Sequence, residues 1–227
     1  MSRLVVFGAR NLGRTIARHF VGEGWDAVAV ARSEDTVASL PEGIRGVVAD
    51  ATRPDDVERV FAEAGAVDLV VDAITTAPLA GTAVAEAPPD ALEPYLGALV
   101  TGIFHVLRVG GRVLAEQGHG TFVQVTGGSA RRGNPGRGPW AASMFATRAL
   151  LQSAAAELRE RNVHAALLIV DGVIESPKTR GRGLPPEPDA TVTEEEVGRA
   201  VAYLAGQSAR AWTHELQLTP RLERWVP

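Results

Sequence analysis

Short apolar segments rich in β-branched residues alternate along this chain with longer segments whose apolar residues have helical spacing. The predicted strands are residues 3–7, 26–31, 45–49, 67–72, 120–126, 163–170 and 214–218. The predicted helices are residues 14–22, 54–64, 89–117 and 140–161. Strands that alternate with helices are joined by right-handed crossovers, which produce a parallel sheet. We therefore predict an α/β fold with a doubly wound, mostly parallel sheet and helices on both faces.

The length of the chain suits one domain with a substantial core. Its 227 residues contain no repeat, low-complexity block or interdomain linker, so a single domain over residues 1–227 is predicted. The segment of residues 172–192 is rich in glycine, proline and arginine, and a mobile loop is predicted there.

Composition and charge argue against several classes of function. The formal net charge is −4, so no broad basic surface for nucleic acid is expected. The chain has no cysteine, which removes disulfides, thiolate metal sites and cysteine nucleophiles. The histidines are scattered without the spacing of metal ligands, and no metal site is predicted. Neither a membrane span nor a signal peptide is recognised, so the expected location is the cytoplasm.

A glycine turn lies between the first predicted strand and the first predicted helix. It reads Gly8-Ala9-Arg10-Asn11-Leu12-Gly13. Gly8 permits the tight turn, Gly13 permits a close approach of helix and strand, and the helix N-terminus offers free amides to a pyrophosphate. Arg10 replaces the middle glycine of the usual pattern, where its side chain either crowds the pyrophosphate or reaches a phosphate. This context predicts that Gly8, Arg10, Asn11, Leu12 and Gly13 bind a dinucleotide.

Residues at the end of the second predicted strand bear on the choice of cofactor. An acidic residue at this position would bind the ribose hydroxyls of NAD. The strand instead ends Ala31-Arg32-Ser33, and the guanidinium of Arg32 matches the geometry of a 2′-phosphate. We therefore predict that Arg32 and Ser33 favour NADP over NAD. The alternative is that Arg10 and Arg32 are solvated loop residues around a turn that binds no cofactor.

The order and spacing of several motifs resemble the short-chain dehydrogenase/reductase family over nearly the whole chain. In chain order, these motifs are the glycine turn, the pair Asp50-Ala51, and residues 67–73, 120–126, 140–146 and 171–176. The resemblance implies a single Rossmann-like domain. It also implies that Asp50 and Ala51 meet the adenine and that Asp72-Ala73 lies beside the cofactor. Gly172 and Val173 belong to the loop that closes on the nicotinamide in this family.

The residues that carry catalysis in that family are replaced in this chain. The resemblance places Trp140 at the position of the tyrosine acid, Met144 at that of the lysine, Gly127 at that of the serine and Leu99 near that of the asparagine. An indole N–H does not serve as a titrating acid. Lys178 is the only lysine of the chain, and it lies in the predicted loop. The resemblance therefore implies that the conventional proton relay is absent.

Hydroxyl and carboxyl groups near the replaced positions are the candidate catalytic residues. Thr126, Ser129 and Ser143 flank the serine and tyrosine positions, where a hydroxyl either binds a substrate carbonyl or satisfies local backbone groups. Asp72 ends a predicted parallel strand at the edge where ligands bind, so it is either a general base or an acid that caps a turn.

A substrate pocket is predicted around the same positions. Trp140 and Met144 lie one helical turn apart on one face, where they form an apolar floor for a flat substrate or part of a filled core. Gly127 and Glu175 are the other predicted pocket residues. In the related family, the helices equivalent to residues 89–117 and 140–161 form an intersubunit bundle, which implies a homodimer or homotetramer.

Three functions are compatible with these residues. The first is an NADP(H)-binding oxidoreductase that acts on a small organic carbonyl compound or polycyclic metabolite by non-standard chemistry. The second is a non-redox cyclase, isomerase or dehydratase that uses the same scaffold. The third is a non-catalytic protein that senses NADP(H) or serves as a partner subunit.

Overall fold

All strand pairings among the described residues of this protein are parallel. The computed structural model describes residues 1–75, 81–181, 183–185 and 187–223. Its strands are β1 (Arg3–Phe7), β2 (Asp26–Ala31), β3 (Ile44–Val48), β4 (Leu69–Asp72), β5 (Thr121–Gly127), β6 (His164–Val170), β7 (Val173–Glu175), β8 (Thr191–Thr193) and β9 (Glu215–Leu218). The main sheet has seven strands in the order β3-β2-β1-β4-β5-β6-β9, and β7 pairs separately with β8.

Helices cover both faces of the main sheet. They are α1 (Leu12–Gly22), α2 (Glu34–Ala38), α3 (Pro54–Ala64), α4 (Glu93–Tyr95), α5 (Gly102–Gln117), α6 (Gly138–Arg159), α7 (Pro177–Arg180) and α8 (Glu194–Ala205). On one face, α1 and α8 bury side chains such as Ile16 and Val201. On the other face, α3, α5 and α6 bury Phe61, Leu114 and Leu151. The predicted doubly wound α/β fold is therefore confirmed, with strand bounds within two residues of the predicted ones.

Local sequence signals account for two of the helix starts. Thr193 and Glu196 form a capping box at the start of α8, in which the Thr193 N–H donates to the Glu196 carboxylate at 2.9 Å. Pro54 opens α3, and Asp55 and Asp56 follow in its first turn, where negative charge suits the helix dipole.

Three segments differ from their predictions. Residues 172–192 are not one loop, because they contain β7, α7 and β8, and Ser176 and Thr179 form a capping box at α7. The short helix α2 is an addition, and it begins where the Ser33 hydroxyl accepts a hydrogen bond from the Thr36 N–H. The helix predicted over residues 89–117 begins at Glu93 and includes a π-helical segment, Leu96–Thr101, between α4 and α5. The glycine and proline content of a segment does not predict helix capping or strand pairing of this kind, because both depend on particular partner residues.

Within the described part of the chain, one helical stretch, Glu93–Gln117, is long and apolar enough to cross a membrane by length and composition. Its α5 portion buries Val106 and Leu114 in the core between the sheet and the neighbouring helices. This packing is typical of a core helix in an α/β domain.

The strand order determines where a ligand can bind. β1 pairs with β2 on one side and with β4 on the other, so the connections that leave β1 and β4 run in opposite directions. In open parallel sheets, ligands bind beyond the carboxyl ends of the strands at such a switch point.

Candidate active site

A cavity of about 970 Å³ runs along the carboxyl ends of β1 to β6. Its size lies at the upper end of the range for small-molecule sites, roughly 300–1,000 Å³. The predicted site residues on its wall are Gly8, Arg10, Asn11, Leu12, Arg32, Ser33, Asp50, Ala51, Ala73, Thr126, Gly127, Trp140, Met144, Gly172 and Val173. The structure thus brings residues from distant parts of the sequence together at one continuous site.

The glycine turn forms the part of the wall beyond β1. Gly8 has a φ of +91°, and a Cβ atom there would clash with the carbonyl group of Ala73 at the end of β4. A Cβ atom on Gly13 would lie 2.7 Å from the carbonyl oxygen of Gly8. Gly13 is buried and not on the cavity wall, so it shapes the turn, and its predicted contact with a dinucleotide stays a prediction.

The N-terminus of α1 fits a pyrophosphate. Asn11 precedes the helix, and its side chain makes no capping hydrogen bond to the first turn. The first-turn amides of an 11-residue helix therefore lack side-chain partners and face a cavity wall formed by residues 8–12. Arg10 is exposed on this wall, and its side chain makes no hydrogen bond or ion pair with the described residues.

Two loops form the wall beyond β2 and β3. Arg32 is exposed there and, like Arg10, is unpaired within the described residues. Asp50 Oδ1 accepts hydrogen bonds from the Thr52 N–H at 2.9 Å and the Thr52 hydroxyl at 2.8 Å, which fixes the loop after β3. His105 on α5 holds the same loop through a contact of 3.0 Å between its Nδ1 and the Ala51 carbonyl oxygen.

Thr126, Trp140 and Met144 form the opposite end of the cavity. The Thr126 hydroxyl donates to the Met144 sulfur at 3.3 Å. The rings of Trp140 and Tyr95 pack edge to face with centroids 5.9 Å apart. Met144 is almost fully buried against Leu99, so this end has an apolar floor.

Two of the predicted hydroxyl groups lie outside the cavity. Ser143 is fully buried, and its hydroxyl donates to the Trp140 carbonyl oxygen at 2.7 Å. Ser129 is also buried and is not on the cavity wall. Their predicted catalytic roles are therefore corrected, because a buried hydroxyl away from the cavity cannot contact a substrate.

Asp72 also differs from its prediction as a base and cofactor contact. Its side chain is fully buried and not on the cavity wall. Asp72 Oδ1 accepts a hydrogen bond from the Ile74 N–H at 2.9 Å, whereas Oδ2 has no partner among the described residues. Burial raises the pKa of this carboxyl from 3.8 to about 7. The next residue, Ala73, lines the cavity instead of Asp72.

The segment after β6 forms another part of the cavity wall. Gly172, Val173, Ile174, Ser176 and Thr179 line the cavity. Glu175 does not line the cavity. Its carboxylate accepts a hydrogen bond from the Thr191 hydroxyl at 2.5 Å and pairs with Arg180 at 3.6 Å. The predicted pocket role of Glu175 is therefore corrected, because these two partners hold its side chain away from the wall.

A partly buried ion pair anchors this segment. Arg132 donates to both carboxylate oxygens of Asp171, at 2.5 and 2.9 Å, and the Asp171 side chain is only 6% exposed. The pair raises the pKa of Arg132 and joins the β5–α6 connection to the end of β6.

Several wall residues were absent from the sequence prediction. The most informative are Arg137, Ile174 and Glu194. Ile174 directly follows Gly172 and Val173, which are predicted to contact the cofactor. Extending that motif by one residue therefore identifies Ile174. Glu194 reaches the wall because α8 packs against α1, where the Thr15 hydroxyl donates to Glu194 at 2.8 Å. Neither Glu194 nor Arg137 has a local sequence signal, because tertiary packing places them.

The fold and this cavity define a Rossmann-like α/β protein with a glycine turn at the switch point of its sheet. A family profile described as enoyl-(acyl carrier protein) reductase matches residues 6–216. The chain belongs to this family, within the short-chain dehydrogenases/reductases. No curated protein sequence matches the chain significantly.

Solved structures share the whole fold. A short-chain dehydrogenase from Rhodopseudomonas palustris is 23% identical, with a TM-score of 0.80 over 96% of this chain and 98% of that one. A serine dehydrogenase complexed with NADP+ is 17% identical, with a TM-score of 0.85 over 99% and 97% of the two chains. An alcohol dehydrogenase from Thermococcus sibiricus complexed with 5-hydroxy-NADP is 21% identical, with a TM-score of 0.84 and full coverage of both chains. At these identities, the likeness concerns the fold.

Proposed function

We propose that this protein is an NADP(H)-binding oxidoreductase that acts on a small organic carbonyl compound. It does so without the tyrosine general acid and the supporting lysine of the usual family pattern. One observation carries the proposal. A single cavity connects the unpaired Arg10 and Arg32 and the open N-terminus of α1 with the apolar end at Trp140. A cofactor therefore has room to extend from a phosphate-binding end to a substrate-binding end.

The residues on the wall suit the parts of NADP(H). Residues 8–12 would hold the pyrophosphate, and the Arg32 guanidinium would pair with the 2′-phosphate. Asp50 and Ala51 would border the adenine, and Gly172 and Val173 the nicotinamide. When bound, the cofactor supplies hydride chemistry. The serine and alcohol dehydrogenases with this fold were solved with NADP+ and 5-hydroxy-NADP, respectively, which supports the choice of cofactor.

The site differs from the usual family pattern in its supply of a proton. Trp140, Met144 and Gly127 take the positions of the family's tyrosine, lysine and serine. Thr126 and the Trp140 indole N–H are hydrogen-bond donors on the wall, and neither is a titrating acid near neutral pH. They orient a carbonyl oxygen, and water supplies the proton. We expect slow turnover, because positioning alone then lowers the barrier.

Calorimetric titration of the purified protein with NADPH and with NADH tests the cofactor assignment. We expect NADPH to bind more tightly, and Arg32→Asp to weaken NADPH binding at least about tenfold more than NADH binding, because a charged bidentate contact is lost. Arg53→Asp is the matched control, since Arg53 is exposed but not on the cavity wall.

Each outcome separates the candidate functions. Absence of NADPH and NADH binding at millimolar concentration would contradict both the oxidoreductase and the NADP(H) sensor. NADPH binding without consumption across a panel of carbonyl compounds would favour the sensor. Product formation without cofactor turnover would favour a cyclase, isomerase or dehydratase.

A further inference from the structure

Three arginines lie on the cavity wall: Arg10, Arg32 and Arg137. None of their side chains makes a hydrogen bond or ion pair with the described residues. The arginines around Arg137 in the sequence are different. Arg131 donates to Gln217 at 2.7 Å, and Arg132 pairs with Asp171. These three unpaired guanidinium groups therefore lie where a ligand in the cavity would meet them.

The three arginines serve two ends of the cavity. Arg10 and Arg32 follow β1 and β2, whereas Arg137 precedes α6, which packs beside β5 and β6. β2 and β5 are three strands apart in the sheet, so these two strands are separated by about 14 Å. The phosphates of the proposed cofactor account for Arg10 and Arg32. They leave the charge of Arg137 without an assigned partner.

The surroundings of Arg137 indicate what its partner is. The acidic residues on the wall are Asp50, which follows β3, and Glu194, whose carboxylate accepts a hydrogen bond from the Thr15 hydroxyl of α1. The neighbouring wall is apolar or neutral, with Trp140, Met144 and Thr126. The Trp140 indole N–H has no partner among the described residues and is available to a ligand oxygen. A flat apolar ligand with one oxyanion therefore matches this end of the cavity.

We propose that Arg137 is a specificity-determining residue that binds the carboxylate of an aromatic or similarly flat carbonyl substrate packed against Trp140. This inference rests on the proposed function, because it takes the cofactor to fill the other end. Arg137 lies just before the first turn of α6, so the favourable field of a helix N-terminus adds to its guanidinium charge.

A pair of matched probes tests the proposal. The probes are 4-carboxybenzaldehyde and its neutral analogue 4-formylbenzamide, each titrated calorimetrically into the NADP+-loaded protein. We expect the carboxylate to bind about tenfold more tightly than the amide in the wild type. Arg137→Gln should reduce this preference to less than about twofold, and Arg137→Lys should keep part of it. Arg131→Gln, which changes an exposed arginine off the cavity wall, should leave the preference unchanged.

NADPH affinity, measured for every variant, separates the two proposals. Unchanged NADPH binding with a lost carboxylate preference in Arg137→Gln supports the inference. Equal binding of both probes by the wild type would overturn it and leave the cofactor assignment standing. Weaker NADPH binding in Arg137→Gln would also overturn it, because Arg137 would then serve the cofactor. Failure of the wild type to bind NADPH would instead contradict the proposed function.

Discussion

At the end of β4, a carboxyl and an amide lie next to each other in the core. Asp72 lies opposite Gln124 in the register of β4 and β5, and both side chains are fully buried. Asp72 Oδ2 and both polar atoms of the Gln124 side chain have no partners among the described residues. Because an isolated buried carboxylate is unfavourable, burial raises the pKa of Asp72 to about 7, and the carboxyl is mostly protonated below neutral pH. The protonated carboxyl then suits an amide neighbour.

This pKa makes the stability of the protein depend on pH. The folded state binds the proton of Asp72 up to a pKa of about 7, whereas the unfolded chain releases it near 3.8. The free energy of unfolding therefore falls as pH rises from about 4 to about 7. In Asp72→Asn this contribution is absent, because an amide does not titrate. We expect the variant to gain about 2–3 kcal/mol relative to wild type between pH 5 and pH 8.

Urea unfolding of both proteins at pH 5 and pH 8 measures this difference. Asn at position 72 keeps an oxygen for the Ile74 N–H and adds a donor that suits Gln124. Asp90→Asn is a control, because the Asp90 side chain is exposed and has no partner among the described residues. Parallel pH profiles for wild type and Asp72→Asn would contradict the buried, protonated state of Asp72.

At the scale of elements, the β5–α6 connection and the end of β6 are joined by Arg132 and Asp171. A carboxylate that is 6% exposed and loses its cation becomes an uncompensated buried charge. We expect Arg132→Ala to lower the free energy of unfolding by about 3 kcal/mol. The double variant Arg132→Ala/Asp171→Asn should cost less than the sum of the single variants, because it leaves no buried charge.

Thermal and urea unfolding of the four proteins in this cycle provide the measurement. Additive effects of the two substitutions would show that the pair is not coupled. Since Gly172 and Val173 follow Asp171 directly and line the cavity, we also expect weaker NADPH binding in Arg132→Ala. Unchanged cofactor affinity would confine the pair to a role in stability.

At the scale of the whole molecule, the sequence predicts the architecture better than the site. Alternating strands and helices and the turn at Gly8 depend on local patterns, and the fold follows them closely. The direction of a side chain depends on packing between elements. Asp72 and Ala73 are adjacent, yet the acid is buried and the alanine lines the cavity. Arg137 and Glu194 reach the wall only through the packing of α6 and α8, which no local pattern encodes.

The outer surfaces of α5 and α6 bear on assembly. Phe104 on α5 and Phe145 on α6 are 44% and 43% exposed, and these two helices pack against each other. A contiguous apolar patch on a protein surface is typical of an interaction site. We propose that these helices form a homodimer or homotetramer interface. Light scattering coupled to size exclusion should then give a multiple of the monomer mass for wild type and the monomer mass for Phe104→Glu/Phe145→Glu. Tyr203→Glu is the matched control, because Tyr203 is 58% exposed on α8, at the opposite face of the sheet. A wild-type monomer at all concentrations would contradict the interface, since the two phenylalanines would then remain in water.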